Sequence, residues 1–158
     1  MDFDKLQIDI LKDAIAGNRW QYWCEDGKVV LSPKHPFALF VVPHQEAKLV
    51  LERVAIRNEK MYKYYKLACD QETIGKMKKL NILGSVKPYY FEHAMYKLAD
   101  ESNKLFVHAD PKWFKYCGDL LNVEMFSEDE QGPVVIMENG EVVALVAPFR
   151  IGNEWKLL

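Results

Sequence analysis

Lys60, Lys63 and Lys66 interleave with Tyr62, Tyr64 and Tyr65 in the segment EKMYKYYK, and Lys76, Lys78 and Lys79 follow shortly after. Residues three and four apart are neighbours on a helix surface, so the first three lysines fall on adjacent rows of one helix. Lysines neutralise phosphates, and tyrosines stack on unpaired bases or seal a backbone groove. The chemistry implied is contact with an anionic partner, DNA first. The same residue types also describe an amphipathic helix with tyrosines inward and lysines in water. A second arrangement overlaps this region: TIGKMKKL as one helix, NILGS as a turn and VKPYYFEHAMYKL as a recognition helix. That reading of residues 73–99 predicts a small helix-turn-helix DNA-binding regulator.

Catalytic signatures are sparse. His35, His44, His93 and His108 show no His-Glu-x-x-His or Cys/His spacing, so no metal site is expected. The chain carries no Gly-x-Ser-x-Gly, P-loop or Gly-x-Gly-x-x-Gly signature. His108 and Asp110 are close enough in sequence to share a hydrogen bond at a strand end. An enzyme would have to assemble its site from His93, His108 and nearby carboxylates. The expectation is a non-enzymatic protein without a cofactor.

Elements that would position these residues follow from turn and cap chemistry. Asp2 and Asp4 open a helix with Leu6, Ile10, Leu11, Ala14 and Ile15 on one face, closed at Gly17. Trp20 to Cys24 and Lys28 to Ser32 read as strands joined through Glu25-Asp26-Gly27, and Phe37 to Val42 as a third, stopped by Pro43. Pro33 and Pro36 bracket the loop between the second and third. Periodicity predicts helices over 45–54, 59–68, 73–80 (capped by Thr73) and 91–99, the last with Phe91, Ala94, Met95 and Leu98 inward, with a loop at 81–88. Residues 104–109 read as a strand. Asp110-Pro111 then starts a helix to about residue 120, offering Trp113, Phe114, Cys117 and Leu121 to the core. A strand at 122–126 and the acidic loop SEDEQGP lead to a hairpin. Its arms, Val134–Met137 and Val142–Val146, flank Asn139-Gly140, which suits a type I′ turn, and both arms are apolar enough to be covered on both faces. The closing GNEWKLL reads as a tail or final short strand.

The result is an α+β fold: an antiparallel, hairpin-built sheet with packed helices and a helical middle. It is expected as one domain over 1–158, made of 1–43, 44–103 and 104–158. Net charge is −2, which predicts no dominant electrostatic field. Charge is uneven, however: basic residues outnumber acidic ones by more than two to one over 57–87, and every charged residue over 119–141 is acidic. A basic face and an acidic face on one molecule would orient self-association or an anionic partner. The three separated cysteines, the acidic amphipathic start and the lack of a long apolar run predict a cytoplasmic protein with no membrane association.

The closing third resembles the last domain of a bacterial DNA sliding clamp, the β subunit of the replicative polymerase. Those chains end with a strand, a helix begun after asparagine or aspartate, further strands, and a hairpin closing on Val-Met-Pro-Met-Arg-Leu. Here LFVHADPKWFKYCGDLL stands for the strand and helix, and the hairpin closes on Val146-Ala147-Pro148-Phe149-Arg150-Ile151. The opening third is similar in kind, with EDGKVVLSP followed by FALFVV; the middle does not match. The resemblance implies a clamp-like interaction module, encoded by a phage or other mobile element, that associates with DNA, replication proteins or further copies of itself. It also implies that Ala147, Pro148, Phe149 and Ile151 contribute to an apolar pocket for partner peptides, although Ala147 and Phe149 stand where the family has methionines.

Overall fold

The structure is a computed structural model that describes residues 1–35, 37–88 and 92–149. Pro36, Phe91, Arg150, Ile151 and the tail 152–158 lie outside the described residues. Helix α1 (Phe3–Ile15) is capped by Asp2, whose side chain accepts from Lys5 N. It leads into a meander of β1 (Trp20–Glu25), β2 (Lys28–Ser32) and β3 (Ala38–Pro43). The β1–β2 turn places Asp26 and Gly27 at φ 53° and 71°, the double positive φ of a type I′ hairpin.

After β3, the helix predicted over 45–54 is broken. A short 3₁₀ turn, His44–Glu46, is followed only later by the single turn α2 (Leu51–Val54) and by β4 (Ala55–Arg57). The cause lies in α1. Buried Gln7 donates to Glu46 C=O at 3.2 Å and accepts from Lys48 N at 2.6 Å, so these backbone groups are satisfied by a side chain instead of a helical ladder. Helix α3 (Glu59–Ala68) forms as expected. Helix α4 (Gln71–Lys76) is capped by Asp70 rather than Thr73 and stops early, because Met77 is already extended.

The largest correction concerns the middle. Residues predicted as helix, loop and helix form the antiparallel hairpin of β5 (Lys78–Val86) and β6 (Met95–Asp100). Leu80, Ile82 and Leu98 alternate onto the core as strand residues do, and a bulge between Ile82 and Gly84 blurs the period. The helix-turn-helix needed both helices, and the described residues of its second half are strand at Val86 and over 95–98 and non-helical between.

Strand β7 (Phe106–Ala109) precedes 3₁₀ helices at Pro111–Tyr116, capped by Asp110, and Leu120–Asn122. Together they replace the single helix expected there; Leu121, expected inward, is 91% exposed. A second meander follows: β8 (Glu124–Ser127), β9 (Val134–Glu138) and β10 (Glu141–Val146), with Asn139 and Gly140 at φ 52° and 78° in its closing turn. Both arms of that hairpin are buried on both faces.

The strands of the described residues form one ten-stranded sheet, ordered β4-β1-β2-β3-β10-β9-β8-β5-β6-β7. Every pairing is antiparallel except β1 with β4, so the sheet is mixed and the fold is α+β. The two meanders meet last strand to last strand, with Phe40 opposite Ala144 and Ala38 opposite Val146. On the first face, α1 and the 3₁₀ helix 111–116 cover a core containing Leu6, Ile10, Phe40, Phe114 and Val134. On the second face, α3 packs Met61, Tyr62 and Tyr65 against Val30, Leu39, Val41 and Leu145.

Candidate nucleic-acid and partner surfaces

Helix α3 starts because Asn58 accepts from Lys60 N at 3.1 Å, and it is oriented by its apolar side. Tyr62 and Tyr65 are buried, and Tyr62 OH donates to Asp26 at 2.8 Å. The hydrogen bond from Tyr62 and the neighbouring Lys66 hold the Asp26 carboxylate below its usual pKa. Neither ring is free to stack on a base, while Tyr64 is about half exposed. Lys60, Lys63 and Lys66 do share the exposed side of α3. Lys63 pairs with Glu59 at 2.9 Å and Lys66 with Asp26 at 3.2 Å.

The next three lysines are spread out. Lys76 pairs with Glu72 at 2.8 Å on α4, and Lys79 with Glu124 at 2.6 Å across the β5–β8 ladder. Strand alternation sends Lys78 to the face opposite Lys79; its charge helps lower the pKa of Asp100. Among the described residues, Lys60 and Lys78 have no carboxylate within salt-bridge distance. Four of the six therefore carry a local counter-charge that a phosphate would have to displace.

The residues expected from the resemblance to meet a partner peptide lie along the chain leaving β10. Ala147 N donates to Phe37 C=O at 2.8 Å, and Phe149 N donates to His108 C=O at 2.6 Å on the edge strand β7. Ala147, Pro148 and Phe149 are each partly buried. Ile151 lies outside the described residues.

A cleft of about 320 Å³, unforeseen in the sequence, lies between α1 and the 3₁₀ helix 111–116. Trp20, Trp113 and Tyr116 line it together with Asp9, Asp13 and Lys112. Its carboxylates are already engaged: Asp13 accepts from Trp20 Nε1 at 2.7 Å, and Asp9 from Tyr116 OH at 2.9 Å. Trp113 reads as core and Trp20 as the start of a strand in the sequence, and nothing in their spacing marks a cleft.

Asp110 lies 3.4 Å from His93 Nε2 and 3.2 Å from Lys112 Nζ, whereas sequence proximity had suggested His108 as its partner. Burial and the nearby charge of Lys97 lower the pKa of His108. Burial raises the thiols of Cys69 and Cys117 to about 12, so both are protonated near neutrality. Among the described residues, no group of three or more His, Cys, Asp or Glu could hold a metal ion, and no helix is long and apolar enough to cross a membrane.

The chain matches no known family model, no curated protein and no solved structure.

Proposed function

We propose that this chain is a non-enzymatic, clamp-like interaction module that associates with further copies of itself, with replication proteins and with DNA. The observation that carries this reading is the repeated order of helix and three-stranded meander, joined through β3 and β10 at the centre of one sheet. Such a module suits assembly because its helices lie on a broad sheet whose ends can face neighbours. At one end, β4 is the edge strand beside β1 among the described residues and leaves Ile56 55% exposed. The segment 147–149, which runs from Phe37 to the β7 strand at the other end of the strand order, is the proposed peptide-binding element.

DNA contact is assigned to the exposed lysines of α3 and α4 and to Lys78 and Lys79. Their local ion pairs make this contact weak and strongly salt-dependent. Fluorescence anisotropy with a short duplex at low salt tests it. Replacing Lys60, Lys63 and Lys66 with glutamate is expected to weaken binding at least about tenfold; unchanged affinity would contradict the assignment.

A further inference from the structure

The second face of the sheet is covered unevenly. Helix α3 packs over β2, β3, β9 and β10, and the apolar cluster it forms there contains no residue of β5, β6 or β7. Register defines what that open half presents. Lys97 stands opposite His108, and Ala99 stands opposite Phe106 and Asn81. Lys79 stands opposite Phe126, whose ring joins the edge of the α3 core. Phe106, His108 and Lys97 are half-buried, while Lys79 and Asn81 are exposed. Lys97 Nζ sits 4.5 Å from the centre of the Phe106 ring.

We propose that this open half-sheet binds single-stranded nucleic acid, with Phe106 and His108 stacking on bases and Lys97 and Lys79 meeting phosphates. Phe106 and His108 are alternate residues of one strand, about 7 Å apart along it, so neighbouring bases of an extended strand can engage both. Lys97 now rests on the Phe106 ring; an arriving base takes that ring face and leaves the ammonium to a phosphate. The exposed lysines of α3 lie on this side of the sheet and Glu124 is already held by Lys79, while the carboxylate of Glu130 lies near enough to His108 to act on it, so an anionic strand is drawn toward Lys97 and Lys79. An acidic peptide would satisfy the lysines but leave the rings without stacking partners.

This inference rests on the reading that nucleic acid is a partner, and it assigns a surface and strand form that the α3 lysines do not. The test is anisotropy of a labelled oligo-dT of about 12 nucleotides at low salt. Phe106→Leu keeps an apolar side chain while removing the stacking face, and Lys97→Gln removes only charge. Each is expected to weaken binding about tenfold, with the Lys97 variant also lowering the salt slope by roughly 0.7. Lys12→Glu, on the opposite face, is expected to change nothing. Binding that survives both substitutions but is lost on replacing Lys60 and Lys63 would overturn the sheet surface and leave nucleic-acid association standing. Duplex binding without oligo-dT binding would do the same. Failure to bind either form would overturn both.

Discussion

The Asp9 carboxylate of α1 accepts hydrogen bonds from Tyr116 OH at 2.9 Å and Lys115 Nζ at 2.7 Å, so one side chain ties the helix of the first meander to that of the second. Tyr116 is buried and packs edge-on against Phe40, with ring centres 5.1 Å apart. Asp9→Ala therefore leaves a part-buried hydroxyl without its acceptor, at a cost of about 1 kcal/mol. Tyr116→Phe removes the hydroxyl with its desolvation cost and should cost less. Urea melts of the two single variants and the double variant measure the coupling. Additive effects would show that the bond does not join the two helices.

Gln7 fixes the chain after β3 by bonding both Glu46 C=O and Lys48 N. Gln7→Leu is expected to cost about 2 kcal/mol by leaving those groups unpaired. Amide exchange at Lys48 should accelerate more than exchange in the β9–β10 hairpin. Equal acceleration at both places would mean that Gln7 supports the whole fold and not this segment.

Acid stability should depend on Asp100. Its carboxylate accepts from Ser102 Oγ at 2.5 Å, Leu105 N at 2.8 Å and Lys104 N at 2.9 Å, in the β6–β7 turn. These bonds, led by Ser102, lower its pKa from 3.8 to about 2. The unfolded chain then binds the proton more readily, so this contribution is complete above 3.8 and disappears as pH falls toward 2. Asp100→Asn should flatten the stability profile across that window; an unchanged slope would sink the assignment.

His108 works in a higher range. Its folded pKa lies below 6.5 because burial, then Lys97, disfavours the imidazolium. Its contribution is present above 6.5 and lost as pH falls through the lowered value. His108→Gln should remove that part of the pH dependence in thermal melts, with no change expected in the Asp100 window.

Turn and cap chemistry made the outer parts of the fold legible. Asp2, Asp26-Gly27, Asp110-Pro111 and Asn139-Gly140 act locally, and each sits in the turn or cap that its residue types favour. The middle was harder because its determinants are not local. Gln7 breaks the 45–54 helix from across the sequence, and the β5–β6 pairing with its bulge at Gly84 competes with a helical period that short windows cannot tell from a strand. Part of the proposed nucleic-acid surface had a signal: Phe106 and His108 alternate with Leu105, Val107 and Ala109. That alternation marks a strand with one side out of the core, but only the pairing of β6 with β7 brings Lys97 beside them. The α3 lysines were legible as a cluster, whereas the counter-charge of Asp26 on Lys66 depended on tertiary packing.

Solution mass by light scattering over a range of concentrations, with and without a short duplex, tests whether the proposed module assembles. A clamp-like module is expected to give a closed symmetric oligomer approaching about six modules, either spontaneously or on DNA. A chain that stays monomeric at every concentration and is indifferent to DNA would contradict it.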